Sequence, residues 1–205
     1  MLKENERIDY LIREGYEIIQ NDDVFSFSTD ALLLGHLTEV RKNDKIIDLC
    51  SGNGVIPLLL SAKCTQSIEG IEVQPQLVDM ARRSFVLNQL DSKLTMHLMD
   101  LKTVNRTFKP SQYTLVTCNP PYFKMNQLNQ HQIEAHKIAR HEVMCDLKDC
   151  VVAAKHVLKE GGRFIIVHRA ERLMDVLTEM RSAKIEPKRL TLVYSKMNKP
   201  CLLYT

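Results

Sequence analysis

From residue 45 onward, short β-branched runs alternate with amphipathic helical stretches, which restricts the chain to βαβ units packed into a mostly parallel sheet. The pattern predicts strands over 45–49, 67–71, 94–98, 115–118, 163–167 and 190–194, with helices over 55–62, 76–88, 147–158 and 172–182 between them. Pro75 stands where a first-turn proline belongs, and Gly161-Gly162 is expected to close the preceding helix in a tight turn. Ahead of this core, residues 16–20 and 24–27 alternate as a short antiparallel pair turned by Asn21-Asp22-Asp23. Ser28-Thr29-Asp30 then caps a helix running to Leu37. The expected organisation is one α/β domain over 1–205, with a hairpin-and-helix extension over 1–44 and a Rossmann-like core over 45–205 that carries helices on both faces.

Composition narrows the class. With 205 residues, 44% hydrophobic and 26% charged, the chain has enough apolar surface for one ordinary core. No apolar run approaches the roughly 20 residues needed to span a bilayer, and the polar start MLKENERIDYLIREG does not read as a signal peptide, so a cytosolic protein off the membrane is expected. The six cysteines form no CxxC pair and read as buried thiols. His131, His136 and His141 recur every five residues and do not keep to one helix face, so no metal site is expected. Charge is unevenly placed. Residues 1–100 carry 10 basic and 16 acidic side chains, whereas residues 101–205 carry 18 and 9, a net −6 against +9 that points to a polyanionic partner for the C-terminal half.

The first core strand runs into Cys50-Ser51-Gly52-Asn53-Gly54 and then a helix, the strand, glycine turn and helix of a nucleotide site. Pro57 replaces the third glycine of the dinucleotide fingerprint, which argues against a pyrophosphate resting on this helix. Asp48, just ahead of the turn, repels a pyrophosphate but favours a cationic amino group or sulfonium, so S-adenosylmethionine fits better than NAD. Glu72, eighteen residues after Gly54 at the end of the second strand, is positioned to accept both ribose hydroxyls, with Val73 beside it. Asp100 and Leu101 follow the third strand, where Asp100 suits an adenine amino group. Each acid alone reads equally as a turn or cap residue; the cofactor reading comes from their combination.

The fourth strand ends in Asn119-Pro120-Pro121-Tyr122-Phe123. An amino group conjugated to a planar system is a poor nucleophile because its lone pair is delocalised. The Asn119 side-chain oxygen and the Pro120 carbonyl can each accept one N–H of such an amine, orienting it and favouring positive charge as a methyl group arrives. Consecutive prolines fix that carbonyl, and Tyr122 offers a ring face for a planar base, with Phe123 as a second wall. Asn119 also borders the cofactor. The polar stretch beginning at Lys124 and running to 132 is suited to closing over an extruded base.

These features resemble the class I amino-methyltransferases with an NPPY motif, a group that includes enzymes acting on DNA adenine, rRNA guanine and protein glutamine. The segments Phe25-Ser26-Phe27-Ser28-Thr29-Asp30-Ala31-Leu32-Leu33-Leu34-Gly35, Asp48-Leu49-Cys50-Ser51-Gly52-Asn53-Gly54-Val55-Ile56-Pro57 and Ala139-Arg140-His141-Glu142 are similar to the bacterial tRNA1(Val) adenine-37 N6-methyltransferase family. The resemblance covers nearly the whole chain. It implies a seven-stranded Rossmann-like sheet and N6-methylation of adenine 37 in tRNA by S-adenosylmethionine. It also implies Thr29 and Asp30 near the cofactor, and Phe25, Arg140 and His141 near the target nucleotide. Cys50 stands where such families more often carry glycine or alanine, and residues 201–205 are expected to begin a last strand left incomplete. Methylation of a protein glutamine or of an rRNA base by the same chemistry is the alternative. The short extension ahead of the core speaks against the glutamine enzymes, which carry a substantial helical domain there. The oligomeric state is left open between monomer and weak dimer.

Overall fold

The computed structural model describes residues 2–24, 27–122, 145–196 and 201–204. The chain opens with a hairpin of β1 (Glu6–Leu11) and β2 (Tyr16–Asn21), followed by α1 (Thr29–Leu37). The core then runs β3 (Ile46–Leu49), α2 (Val55–Ser61), β4 (Ile68–Glu72), α3 (Pro75–Leu87), β5 (Leu94–Leu98), a 3-10 turn into α4 (Val104–Thr107), and β6 (Tyr113–Cys118). Beyond 123–144 come α5 (Leu147–Val157), β7 (Leu158–Ile166), β8 (His168–Arg169), α6 (Leu173–Ser182), β9 (Leu192–Tyr194) and β10 (Cys201–Tyr204).

Five parallel strands form the central sheet in the order β5-β4-β3-β6-β7. Side chains of β3 alternate between its faces. Ile46 joins the cluster packed under α1, α2 and α3, whereas Ile47 and Leu49 join the cluster under α4, α5 and α6. Because the chain moves outward from β3 through β4 to β5 and then returns to β6 on the other side, the crevice at the carboxyl ends of β3 and β6 is the topological switch point, where open α/β sheets bind ligands.

The seven-stranded expectation is corrected. Among the described residues the parallel sheet has five strands, and β8, β10 and β9 form a separate three-stranded antiparallel sheet in that order. The chain leaves β7 at Val167, whose N–H donates to the Cys118 carbonyl at 3.2 Å, and turns at once into β8. The last strand, expected to be only begun, is paired along both edges by β8 and β9. Gly161-Gly162 do not end α5. They lie within β7, where the register jumps from Tyr113↔Leu158 to Leu115↔Arg163, and Gly161 takes φ +69° in the resulting bulge.

The hairpin is also corrected. β2 pairs with the preceding segment, Glu6↔Asn21 through Leu11↔Tyr16; of the expected partner 24–27, residues 25 and 26 lie outside the described residues. Gly15 at φ +73° supplies the tight turn, with its N–H on the Leu11 carbonyl at 2.9 Å. Asn21-Asp22-Asp23 does turn the chain, through the Asp23 N–H on Asn21 Oδ1 at 2.7 Å, but it leads out of the hairpin. The outer edge of β2 is satisfied by α3: the Ile19 N–H donates to Ser84 Oγ and the Glu17 N–H to Asn88 Oδ1, each at 2.9 Å. Ser28 stands at the N-cap of α1 but makes no side-chain capping bond. No helix among the described residues is long and apolar enough to cross a membrane.

Candidate active site

Parallel pairing aligns the carboxyl ends of β5, β4, β3, β6 and β7, so Asp100, Glu72, the glycine turn, Asn119 and His168 lie along one edge although 116 positions of sequence separate Gly52 from His168. The two turn glycines have different reasons to be glycine. A Cβ on Gly54 (φ +81°) would meet the Phe85 ring at 2.9 Å and Ala81 Cβ at 3.0 Å, so Gly54 lets α2 start close against α3. Gly52 (φ +57°) faces open space, with nothing within 4 Å of where a Cβ would stand. That bare stretch of backbone lies at the switch point of the sheet and leaves a cradle open to close approach.

Two buried carboxylates hold the turn. Asp48, 0% exposed, accepts from Ser51 Oγ at 2.7 Å and from Thr117 Oγ1 at 2.6 Å, which locks the turn to β3 and β3 to β6. Burial raises its carboxyl to about 7, against the two hydroxyl donors, and the neighbouring Glu72 adds to the rise. Glu72 accepts from the Gly52 N–H at 2.9 Å through one oxygen, and from the Val73 and Gln74 N–H groups at 3.0 Å through the other. Burial raises its carboxyl as well, opposed by these backbone donors. The Gln74 side chain adds a further donor to the same carboxylate.

The remaining sequence-predicted cofactor residues divide. Cys50 sits at the head of the turn in the left-handed region, φ +56°. Asn53 turns its side chain away from the turn, donating to the Ile19 carbonyl at 3.1 Å and tying the hairpin to the core. Leu101 is buried in the second core cluster, which takes its side chain out of any ligand site. Val73 is half-buried. Asp100 is exposed and caps the 3-10 turn through Lys102 N at 2.9 Å, leaving its second oxygen available. Thr29 is exposed at the start of α1.

At the end of β6, Asn119 is half-buried, Pro120 buried, Pro121 exposed and Tyr122 half-buried. Tyr122 Oη donates to Asn119 Oδ1 at 2.8 Å, which fixes the amide and leaves one lone pair of Oδ1 for a second donor. Burial raises the Tyr122 hydroxyl above its ordinary range, and its interaction with the Asp30 carboxylate raises it further, so Asp30 reaches from α1 to the tetrapeptide. The Tyr122 ring packs against His168, centroids 5.0 Å apart and tilted by 40°. One ring face is thus a wall contact, not the bare stacking platform expected from sequence. Arg172 Nη1 donates to the Tyr122 carbonyl at 3.0 Å.

Sequence reasoning missed His168 and Arg172. His168 is 0% exposed, its Nδ1 accepts the Arg169 N–H at 2.9 Å, and burial lowers its imidazole to about 4. The ring is therefore neutral, with hydrogen assigned to Nε2, which has no partner. Its position just past a strand's carboxyl end was the available signal. Four cysteines read as separate thiols also meet here: Cys50 Sγ lies 3.6 Å from Cys145 Sγ and 3.8 Å from Cys150 Sγ, with Cys118 beside them. Phe25, Phe123, Lys124, Arg140 and His141, and the three histidines 131, 136 and 141, lie outside the described residues.

Fold and site together define a Rossmann-like group-transfer protein with a ligand cradle beside an amide-and-proline tetrapeptide. The chain belongs to the methyltransferase small domain family, which matches residues 15–184. It is similar to the tRNA1(Val) (adenine(37)-N6)-methyltransferase of a Flavobacteriaceae bacterium, 26% identical over 195 residues that cover 88% of this chain and 81% of the relative. It is likewise similar to the protein of that name from Aliivibrio fischeri, 30% identical over 137 residues covering 66% of this chain and 56% of the relative. Among solved structures, the fold is shared with a SAM-dependent O-methyltransferase from Thermotoga maritima, with a TM-score of 0.58 at 13% identity over 88% of this chain and 64% of that one. Geranyl diphosphate C-methyltransferase from Streptomyces coelicolor shares it too, with a TM-score of 0.59 at 14% identity over 80% and 63%.

Proposed function

We propose that this methyltransferase carries a methyl group from S-adenosylmethionine to N6 of an adenine in tRNA, at adenine 37 of tRNA1(Val), in the cytoplasm. The observation that carries the reading is the placement of Asn119 to Tyr122 one strand away from the Gly52 cradle, in a chain whose curated relatives bear that enzyme's name. The net +9 of residues 101–205 agrees with a polyanionic substrate.

The residues present fit the cofactor. Gly52 leaves uncovered backbone, the Glu72 carboxylate stands at the end of β4 where ribose hydroxyls would lie, and Asp100 keeps an oxygen for an adenine amino group. When bound, S-adenosylmethionine supplies an electrophilic methyl group on a sulfonium. Asn119 Oδ1 takes one N–H of the target amine on the lone pair that Tyr122 leaves free, and the Pro120 carbonyl takes the other. Held by two acceptors, the amine presents its lone pair toward the cradle and its growing positive charge meets two oxygen dipoles. Tyr122 keeps Asn119 in that orientation, and the neutral His168 ring supports Tyr122 without adding a repelling charge. The extra proton leaves to solvent once the nitrogen is methylated, so no strong base is needed.

The test is to incubate the protein with labelled cofactor and total tRNA from a strain lacking the enzyme, then digest and identify the labelled nucleoside. Label in N6-methyladenosine at position 37 is expected. Label only in a protein glutamine, or only in an rRNA base, would replace this reading by the corresponding alternative.

A further inference from the structure

Cys50, Cys118, Cys145 and Cys150 come from three places: the turn after β3, the end of β6 immediately before Asn119, and the start of α5. Their sulfurs converge. Cys50 Sγ is 3.6 Å from Cys145 Sγ and 3.8 Å from Cys150 Sγ, Cys145 and Cys150 are 4.0 Å apart, and the sulfurs of Cys50, Cys118 and Cys150 all lie within 4.8 Å of one another. A tetrahedral zinc–thiolate centre with bonds of about 2.3 Å requires sulfur–sulfur edges of about 3.8 Å; the Cys50, Cys145 and Cys150 triangle matches that edge, and Cys118 stands within 4.8 Å of Cys50 and Cys150 as the fourth sulfur. The other two cysteines stand apart and bond to carbonyls: Cys64 to Asp44 and Gln66, Cys201 to Val193 and Leu203.

Cys50 gives an independent sign. It holds the left-handed conformation at φ +56°, which is strained for a side chain and which glycine adopts freely. The backbone at the head of the turn would be better served by glycine, so the sulfur is kept despite the strain. Cys118 and Cys150 are buried, while Cys50 and Cys145 are half-buried and leave the cluster open to entry from solvent.

We propose that these four cysteines form a tetrathiolate site for a thiophilic, four-coordinate divalent cation, with zinc as the representative ion. On binding, four S–H bonds break and four protons pass to buffer, while each sulfur donates a lone pair to the metal; no oxidation state changes, and the centre carries a net charge of −2. Four protein ligands close the coordination sphere, which makes the site structural. It pins the glycine turn to the end of β6, and both of them to the start of α5. The cradle and Asn119 are thereby held at a fixed separation.

The test uses the full chain, reduced and stripped of metal, titrated with cobalt and then with zinc. One cobalt per chain with the visible absorption of a tetrahedral thiolate complex, displaced by zinc, is expected. Half-buried Cys145→Ser should weaken zinc binding at least tenfold in chelator competition and abolish the rise in unfolding temperature on adding zinc. Cys201→Ser, outside the cluster, should behave as wild type, and circular dichroism of both variants checks that they fold. Absence of the cobalt–thiolate band in the reduced wild type, or an undiminished band in folded Cys145→Ser, would overturn the proposal. Methyl transfer is not the readout, so the outcome is independent of the function proposed above.

Discussion

The two walls of the crevice are built differently. On the β3–β4 side, two buried carboxylates hold the turn: Asp48 accepts from the Ser51 and Thr117 hydroxyls and Glu72 from the main-chain N–H groups of Gly52, Val73 and Gln74, all within residues 48–74 apart from Thr117. On the β6 side, Asn119 is held by a side-chain hydroxyl from Tyr122, which leans on His168, contacts Asp30 and is anchored by Arg172, about 50 residues further along the chain. The first wall is a rigid local device; the second is assembled from distant elements. In the function proposed, the locally fixed wall holds the cofactor and the wall that depends on long-range packing orients the incoming base.

Asn119→Ala breaks the second wall and should have the largest effect. Turnover is expected to fall about 10²–10³-fold, the usual loss for one preorganised polar contact made to developing charge, with cofactor affinity changed by less than about threefold. Calorimetry beside a transfer assay measures both, and wild-type turnover would sink the proposed chemistry.

The pH dependence separates the walls next. The folded protein keeps a proton on Asp48 up to about pH 7, whereas an unfolded aspartate has released its own above about pH 4, so this group's contribution to stability falls as pH rises from about 4 to about 7. His168 runs the other way: neutral in the fold down to about pH 4 but protonated in the unfolded chain below about 6.5, its contribution falls as pH drops from about 6.5 to about 4. Asp48→Asn should leave stability that rises with pH across that window by on the order of 3 kcal/mol, and His168→Gln should leave the opposite slope. Urea unfolding of both variants between pH 4 and 7 tests this. Equal slopes in the two variants would show that these groups do not govern the profile.

The glycines sharpen the contrast within the first wall. Gly54→Ala drives a methyl group into Phe85 and should destabilise the fold by about 2–4 kcal/mol, from left-handed strain together with overpacking. Gly52→Ala adds only the strain of about 1–2 kcal/mol but fills the cradle, so cofactor affinity should fall more than stability does. Comparing melting temperature with calorimetric affinity decides it; the reverse ranking would place the ligand elsewhere.

Tyr122→Phe should give the smallest change. It removes the hydroxyl that orients Asn119, a hydrogen bond worth about 1 kcal/mol net, and turnover should fall about fivefold. A loss approaching that of Asn119→Ala would mean that the phenol contacts the substrate directly.

The sequence by itself determined the layered α/β architecture, because strand and helix periods alternate cleanly from residue 45, and it placed Asp48, Gly52, Glu72 and Asn119 at or beside the carboxyl ends of strands, where the structure has them. It misjudged the hairpin, since alternation in 16–20 identifies a strand but not its partner; Gly15 and the buried Leu11 decide that the chain folds back on 6–11. It also merged two sheets into one, because pairing direction is not written in a strand's composition. Tertiary structure alone decided that Asn53 faces the hairpin, that His168 and Arg172 support Tyr122, and that four cysteines spread over 100 residues share one cluster. The physical reason is that local periodicity fixes which backbone hydrogen bonds a segment can make, while the neighbours of a side chain depend on which strands lie side by side, and the crossover between β5 and β6 sets that order.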